Sequence, residues 1–229
     1  TSISGVSFKA YRGQTIGIIG GTGSGKSSLV GLIPRFYDAT EGEVLIDGVN
    51  VKDIKLEELR DKVGIVMQKA VLFKGSIRNN MQVAKQDATD GEIDEALAIA
   101  QAKEFVDKKD GRLDYMIEQG GKNLSGGQRQ RLTIARAVVK KPDVLILDDS
   151  ASALDFATDA ALRKSIRTMS NNPTVFIVSQ RSASLMHADK IIVLDDGNVA
   201  GIGTHSELLA NCEVYMEIYN SQFKSAKGA

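Results

Sequence analysis

The apolar residues of this chain fall into short continuous runs that alternate with longer amphipathic segments. Such runs occupy residues 14–19, 63–67, 144–147, 174–178 and 190–194, and each is too short for a helix. A short apolar run predicts a strand that is buried on both faces. Because apolar residues recur at helical spacing between these runs, strands and helices alternate. This pattern predicts an α/β fold with a mostly parallel sheet.

Two turn signals add antiparallel pairing to that sheet. Residues 43–46 and 49–51 flank Asp47-Gly48, and a second such dipeptide is Asp196-Gly197. An Asp-Gly pair between apolar runs favours a two-residue hairpin turn. Residues 3–19 also alternate as short strands around a turn. The sequence therefore predicts an antiparallel β subdomain beside the parallel strands.

The segment from about 69 to 140 is more helical and more polar than its surroundings. Thr89 and Glu92 have the spacing of a capping box, and apolar residues follow at 93, 96, 97 and 100. No linker-like composition bounds the segment. We expect a helical subdomain inserted into the α/β core, within one domain that spans 1–229.

Composition narrows the possible partners. The chain has 29 basic and 29 acidic residues, so its charge gives no reason to expect a nucleic acid partner. Its one cysteine, Cys212, rules out a disulfide framework. No apolar run approaches the length of a membrane span. The chain starts at Thr1 without a methionine, and we expect it to be part of a longer polypeptide.

The clearest chemical signal is a glycine-rich loop between the first strand and a helix predicted over 28–36. Residues 20–27 fit the pattern of Gly, any four residues, then Gly-Lys-Ser. Glycines let several backbone N–H groups converge on a phosphate, and the helix start adds its positive dipole end. The predicted phosphate-binding residues are Gly21, Thr22, Gly23, Ser24, Gly25, Lys26, Ser27 and Ser28. We expect Lys26 to reach the β- and γ-phosphates of ATP and the Ser27 hydroxyl to bind Mg²⁺.

Polar residues follow two of the buried strands. Asp148 and Asp149 end the run at 144–147, and Gln68 comes directly after the run at 63–67. Ligands of open α/β sheets bind at the carboxyl ends of strands. With a P-loop in the chain, Asp148 is the predicted Mg²⁺ partner and Asp149 is predicted to face the attacking water. Without the P-loop, the two aspartates would be interpreted as a solvated turn.

A second glycine-rich segment begins a long helix. Ser125 and Gln128 have capping-box spacing around Gly126 and Gly127. The two glycines leave the helix start uncovered by side chains, so its N–H groups and the Ser125 hydroxyl are predicted to be available to an anion. Taken alone, this segment is slightly better interpreted as a well-capped helix.

These motifs, in this order, resemble the nucleotide-binding domain of ABC transporters over nearly all 229 residues. The carriers of the resemblance are the P-loop, Gln68, the Leu-Ser-Gly-Gly-Gln signature at 124–128 and the Leu-Asp-Asp segment at 147–149. The resemblance implies a P-loop NTPase fold that hydrolyses ATP with Mg²⁺, with Gln68 among the catalytic and metal-binding residues. It also implies a head-to-tail dimer in which Ser125, Gly126, Gly127 and Gln128 face the ATP held by the partner domain.

Two further segments, 32–38 and 73–80, resemble exporter sequences. This resemblance implies a transmembrane domain earlier in the same polypeptide and a location at the cytoplasmic face of the cell membrane. The adenine-stacking aromatic residue of the family would lie on a strand ahead of Thr1.

The chain departs from the family pattern at two predicted catalytic positions. Family members that hydrolyse ATP quickly have Glu where this chain has Asp149, and His where it has Gln180. The shorter carboxylate places its oxygens on the order of 1 Å further from the water, and Gln180 cannot carry charge. We expect a slowly hydrolysing site in one half of a heterodimeric exporter.

Three other interpretations stay open at this point. The chain could be an ordinary homodimeric exporter domain in which these variations are tolerated. A soluble ABC protein that acts on nucleic acid is a second class, although such proteins usually carry a long coiled coil or two cassettes in tandem. A non-hydrolysing regulatory ATP-binding module is the third.

Overall fold

The structure is a computed structural model that describes residues 3–150 and 153–224, the side chains of 223 and 224 excepted. The fold divides into two compact units, one formed by residues 1–63 and 174–229 and the other by residues 64–173. The strands are β1 (Thr15–Gly20), β2 (Leu45–Ile46), β3 (Val49–Asn50), β4 (Val63–Val66), β5 (Gly75–Ser76), β6 (Met116–Ile117), β7 (Val144–Asp148), β8 (Thr174–Val178), β9 (Lys190–Asp195) and β10 (Asn198–Gly203). The helices are α1 (Lys26–Gly31), α2 (Leu56–Lys62), α3 (Ile77–Gln82), α4 (Asp90–Ile99), α5 (Lys103–Asp107), α6 (Gly126–Val138), α7 (Phe156–Arg167), α8 (His205–Asn211) and α9 (Glu213–Lys224).

The first unit is built on four strands in the order β10-β9-β1-β8. Strands β9, β1 and β8 run parallel, and β10 returns antiparallel to β9. Every residue of β1 is buried, which agrees with its continuous apolar run. The prediction of a mostly parallel sheet with antiparallel strands is confirmed.

Both Asp-Gly hairpins form as predicted. Asp47 and Gly48 have φ values of 52° and 79°, and Asp196 and Gly197 have φ values of 41° and 82°. Positive φ at both central residues is the requirement of a type I′ turn, which matches the twist of antiparallel strands. The first turn pairs β2 with β3 and the second pairs β9 with β10.

The last two helices pack on the first unit through an aromatic cluster. Tyr215 of α9 is fully buried, and its hydroxyl lies 2.8 Å from Nδ1 of His205. Burial raises the pKa of Tyr215 to about 12 and lowers the pKa of His205. This cluster fixes α9 beside the start of α8.

The second unit contains the neighbouring strands β4 and β7 together with helices α3 to α7. Helix α6 packs against α3 and α4, with residues such as Leu132 and Ile134 fully buried. The predicted capping boxes at Thr89 and Ser125 are both present. The boundaries of the helical insert, about 69–140, stay a prediction.

Two details of the sequence interpretation are wrong. Residues 3–14 form no strand within the described chain, although their burial alternates, because alternation reports half-burial and not pairing. The helix predicted over 28–36 begins at Lys26 and ends at Gly31. Pro34 has no N–H to continue the helical ladder, and Arg35 takes a left-handed φ of 54°.

An added methyl group is expected to have opposite effects on the free energy of unfolding at two glycines of the second unit. A Cβ at Gly64 of β4 would lie 2.8 Å from the Ala137 carbonyl oxygen, whereas a Cβ at Gly91 of α4 would have nothing within 4 Å. Gly64→Ala should lower the free energy of unfolding by about 1–3 kcal/mol through overpacking. Gly91→Ala should raise it by up to about 1 kcal/mol because alanine favours helix. Denaturant unfolding of both variants beside the unmodified chain measures this, and equal effects would contradict the packing at β4.

Candidate nucleotide-binding site

The P-loop connects the end of β1 to the start of α1. Gly23 and Gly25 take left-handed φ values of 80° and 96°, which residues with a Cβ rarely adopt. At Gly20 a Cβ would lie 2.2 Å from the Leu194 carbonyl oxygen and 2.5 Å from the Ser24 hydroxyl. The loop therefore needs glycine at Gly20 for close packing, and at Gly23 and Gly25 for backbone conformation.

The side chain of Lys26 folds back over the start of the loop. Its Nζ donates to the carbonyl oxygens of Gly20 at 2.9 Å and Gly21 at 2.6 Å, and the residue is only 9% exposed. A buried ammonium is costly unless it is hydrogen-bonded, and the two loop carbonyls meet that need. The positive charge is thus held at the centre of the loop.

The first turn of α1 offers donors to an anion. Its N-cap is Gly25, so no side chain caps the helix start. Gly21, Thr22, Gly23 and Ser27 are exposed, whereas Ser24 is buried and Ser28 is half-buried. A polyphosphate suits this place, because it would meet uncapped N–H groups, the positive end of the helix dipole and the Lys26 ammonium. The exposed Ser27 hydroxyl suits a hard cation that is bound to the polyphosphate.

Gln180 lies at the same sheet edge as the P-loop. Strand β8 pairs with β1 in the register Ile18↔Val178, and the Ser179 N–H donates to the Ile18 carbonyl at 3.1 Å. Gly20 and Gln180 thus each follow the paired residues by two positions, on adjacent parallel strands. The Gln180 side chain is exposed and makes no hydrogen bond to the residues that the structure describes.

In the second unit the structure brings Gln68 and Asp149 together. The Gln68 Nε2 donates to Asp149 Oδ2 at 3.2 Å, and Asp148 beside them is 5% exposed at the end of β7. Asp149 has a left-handed φ of 46°, a conformation that Asp tolerates better than most residues. Within residues 3–150 and 153–224 no group of three or more His, Cys, Asp or Glu side chains could hold a metal.

The signature segment starts α6 with a complete capping box. The Ser125 hydroxyl accepts the Gln128 N–H at 3.2 Å, and Gln128 Oε1 accepts the Ser125 N–H at 3.1 Å. The box uses the N–H groups of Ser125 and Gln128, and the Ser125 hydroxyl keeps its own O–H as a donor. The N–H groups of Gly126 and Gly127 remain without a side-chain cap.

The two signature glycines differ in their surroundings. A Cβ at Gly127 would lie 3.3 Å from the Ala153 carbonyl oxygen of the same chain, whereas a Cβ at Gly126 would meet nothing closer than 4.0 Å. A side chain at Gly127 would therefore be tight against this chain itself, while Gly126 is exposed. A side chain placed at Gly126 would test an outside contact without disturbing this chain.

The sequence interpretation missed Arg131, which holds the start of α6. Its Nε donates to the Gly127 carbonyl at 3.3 Å, its Nη1 donates to the Gln101 carbonyl at 2.8 Å, and its guanidinium lies 4.8 Å from the Phe105 ring centroid. Burial lowers the pKa of Arg131 from its ordinary value, and the carboxylate of Asp155 acts in the opposite sense. Arg131 lies four residues after Gly127, one helical turn further on, and this spacing is the sequence signal that could have identified Arg131.

Comparison with known proteins agrees with this geometry. A family model described as "ABC transporter" matches residues 3–152. The chain belongs to the ABC transporter family. This ABC chain is 46% identical over 224 residues to an uncharacterised ABC transporter ATP-binding protein of Mycobacterium bovis, covering 96% of the chain and 38% of that relative. It is 42% identical over 217 residues to a Bacillus subtilis protein with the provisional name of a multidrug export ATP-binding/permease protein, covering 95% of the chain and 37% of the relative.

A solved structure supports the fold of this ABC chain. A bacterial Atm1-family ABC exporter with ATP bound matches 96% of the chain with a TM-score of 0.91 and 34% identity, and 39% of that exporter's chain is covered. The predicted fold class, an ABC ATPase domain, is confirmed. The chain spans about 38% of the length of the curated relatives it matches.

Membership of the ABC transporter family implies an ATP-binding domain, in which ATP is normally bound with Mg²⁺. The P-loop described above fits that ligand, because its donors, its ammonium and its exposed hydroxyl match a magnesium-bound triphosphate. None of the helices in the described ranges has both the length and the apolar character needed to cross a bilayer.

Adjacent glycines of the P-loop provide a matched test of this ABC site. Gly20→Ala should weaken ATP binding at least 10-fold, on the order of 1.4 kcal/mol, because the loop must move away from Leu194 and Ser24. Gly21→Ala should weaken ATP binding less than Gly20→Ala does, because nothing in the chain lies within 4 Å of its added methyl group and the loop keeps its conformation. Titration with a fluorescent ATP analogue measures both, with thermal unfolding as the control for folding. Equal affinities for the two variants would contradict the loop geometry.

Proposed function

We propose that the chain is the ATP-binding domain of an ABC exporter and that it binds and hydrolyses Mg-ATP to drive transport across a membrane. The observation that carries the proposal is the P-loop, whose left-handed glycines and folded-back Lys26 prepare it for a triphosphate. We assign residues 1–229 to this single domain and about 69–140 to its helical subdomain. The exporter-type relatives support the transport part of the proposal.

In the first unit, the residues from Gly21 to Ser28 bind the phosphates. Lys26 exchanges its bonds to the loop carbonyls for bonds to the β- and γ-phosphate oxygens, and Ser27 supplies one oxygen ligand to Mg²⁺. Gln180 donates a hydrogen bond to the γ-phosphate from its exposed amide. The shared edge of β1 and β8 supports this last assignment.

In the second unit, Asp148 and Gln68 supply further oxygen ligands to Mg²⁺, Asp148 through water. Asp149 positions the water that attacks the γ-phosphate. The hydrogen bond between Gln68 and Asp149 supports a common role at the reaction centre. Mg²⁺ neutralises charge on the phosphates when it is bound, and these side chains orient it.

Hydrolysis at the chain's own site is proposed to be slow. Asp149 is one methylene shorter than the Glu of the fast enzymes, and a misplacement on the order of 1 Å can cost about 100-fold in rate. One Asp149 oxygen also accepts from Gln68. Gln180 in place of His can donate a hydrogen bond to the γ-phosphate but cannot carry a charge or shuttle a proton.

The proposed partner is a second ABC nucleotide-binding domain that stacks head to tail on this one, in a heterodimer. The uncapped N–H groups of Gly126 and Gly127 would face the γ-phosphate of the ATP in the partner's site. The exposure of Gly126 and the bond from Arg131 to the Gly127 carbonyl support this, because they leave the donors accessible and fixed. The chain would thereby complete a competent site that is not its own.

We further propose that a transmembrane domain of the same polypeptide anchors this domain to the cytoplasmic face of the cell membrane. Support comes from the ATP-binding/permease relative, of which the chain covers 37%, and from the exporter structure, of which it covers 39%.

ATP binding is tested at Lys26 and Ser27. Lys26→Ala should lower ATP affinity by at least 100-fold, on the order of 2.7 kcal/mol, because the loop loses its buried cation. Ser27→Ala should weaken Mg-ATP much more than metal-free ATP, because only the metal-bound form uses its hydroxyl. Calorimetric titration with and without a chelator measures both effects. If Lys26→Ala bound ATP as tightly as the unmodified chain, the P-loop would not be the binding site.

Slow hydrolysis is tested by restoring the two family residues. Asp149→Glu combined with Gln180→His should raise the ATPase rate of the concentrated chain by more than the product of the single effects, because both act on one reaction. Thermal unfolding is the control, since Glu is less suited than Asp to the left-handed φ of 46°. Fast hydrolysis by the unmodified chain alone would instead favour an ordinary homodimeric exporter domain.

A further inference from the structure

One side chain of the C-terminal helix, Gln222 of α9, makes three hydrogen bonds to the segment that follows β8. Gln222 of α9 donates from Nε2 to the Gln180 carbonyl at 2.7 Å. Its Oε1 accepts the Ser182 N–H at 2.9 Å and the Ser182 hydroxyl at 3.0 Å. The amide thus bonds the main chain on both sides of Arg181.

Helix α9 is firmly placed to do this. Tyr215, Tyr219 and Gln222 follow one another at spacings of four and three residues, so they share one face of the helix. The ring centroids of Tyr215 and Tyr219 lie 5.7 and 5.4 Å from that of His205, and Tyr215 is fully buried. Gln222 therefore extends from a helix whose position is set by packing one and two turns earlier.

The segment that Gln222 holds also has local bonds of its own. The Arg181 N–H, on the same peptide group as the Gln180 carbonyl, donates to the Ser179 hydroxyl at 3.0 Å, so Gln222 restrains the carbonyl side of that group and Ser179 the N–H side. Ser179 is fixed by its bond to Ile18, and Ser182 is fully buried at the start of a 3-10 turn over Ser182–Ser184. Gln180 lies between these two points with an exposed side chain. The bond from Gln222 to the Gln180 carbonyl fixes the peptide plane next to that side chain, and so limits where the side chain can point.

We propose that Gln222 is a positioning residue that directs the Gln180 amide toward the γ-phosphate by holding the main chain of Gln180 and Ser182. This inference rests on the proposed nucleotide site and adds a component 42 residues away in sequence. A glutamine suits the task because its amide offers a donor to the carbonyl and an acceptor to the N–H at once. No other side chain except asparagine, which is one methylene shorter, carries both groups in this form.

The positioning is tested first without nucleotide. In Gln222→Ala the amide hydrogen of Ser182 should exchange with solvent at least 10-fold faster, because it loses its acceptor, the Gln222 Oε1. Gln222→Glu keeps the acceptor and should preserve much of that protection while losing the donor to Gln180. Asn220→Ala, which removes an exposed amide on the other side of α9, is the matched control and should leave the exchange unchanged. Unchanged exchange in Gln222→Ala would overturn the inference.

The consequence for the site is tested by the ratio of ATP affinity to ADP affinity, because ADP lacks the γ-phosphate. Gln180→Ala should lower this ratio at least about 10-fold, the effect of one hydrogen bond to a charged group. Gln222→Ala and Gln222→Glu should lower it by a similar factor, while ADP affinity and the thermal unfolding temperature stay close to those of Asn220→Ala. Gln222→Ala should add no further loss in the Gln180→Ala background, because it acts through that side chain.

Results that differ from these expectations would overturn the inference. If the two losses multiplied in the double variant, Gln222 would act independently of Gln180. If the ratio fell in neither single variant, or in only one of Gln180→Ala and Gln222→Ala, Gln222 would not direct Gln180 at a γ-phosphate. Failure of the nucleotide site itself is separate, since it would appear as unchanged ATP binding in Lys26→Ala.

Discussion

Strands β1 and β9 approach each other so closely at the P-loop that no side chain fits between them. Gly20 pairs with Leu194 in the parallel register, and a Cβ there would lie 2.2 Å from the Leu194 carbonyl oxygen. The chain can therefore turn directly from the last pair of the strand into the loop. That sharp turn allows Lys26, the first residue of α1, to bond the carbonyls of Gly20 and Gly21. The donors proposed to bind phosphate, and the cation, are thus placed by a backbone contact within the sheet.

The other residues proposed for the site share one arrangement in both units. Each is a polar residue that lies just beyond the end of a hydrogen-bonded strand. Gln180 follows β8 by two residues, Gln68 follows β4 by two, and Asp149 follows β7 by one. A strand end is rigid, so a side chain placed there needs little further support. Asp149 and Gln180 nevertheless each have an added restraint, a hydrogen bond from Gln68 for the first and the amide of Gln222 for the second.

Local patterns predicted those parts of the fold that depend on neighbours in sequence. The buried strands, both Asp-Gly turns and the capping boxes at Thr89 and Ser125 all form, because each is determined within a few residues. The end of α1 was predicted five residues too late, although Pro34 was visible in the sequence. Arg131 and Gln222 were not predicted, because their partners Gln101 and Ser182 lie 30 and 40 residues away. The site residues came from motif spacing, whereas the side chains that hold them in place needed three-dimensional contacts.

The contact of Gln222 with the segment after β8 also bears on where this domain can be cut or extended. Helix α9 ends at Lys224, only two residues beyond Gln222, so a truncation within the last turn of this helix would disturb Gln222. A version shortened to the end of α8 at Asn211 would still contain the P-loop and the residues that follow β4, β7 and β8. It would lose the Gln222 amide that holds Gln180. A bulky fusion that frays the last turn would act in the same way at a distance. Comparisons of nucleotide preference between recombinant versions of this domain are therefore meaningful only when their C-terminal boundaries match.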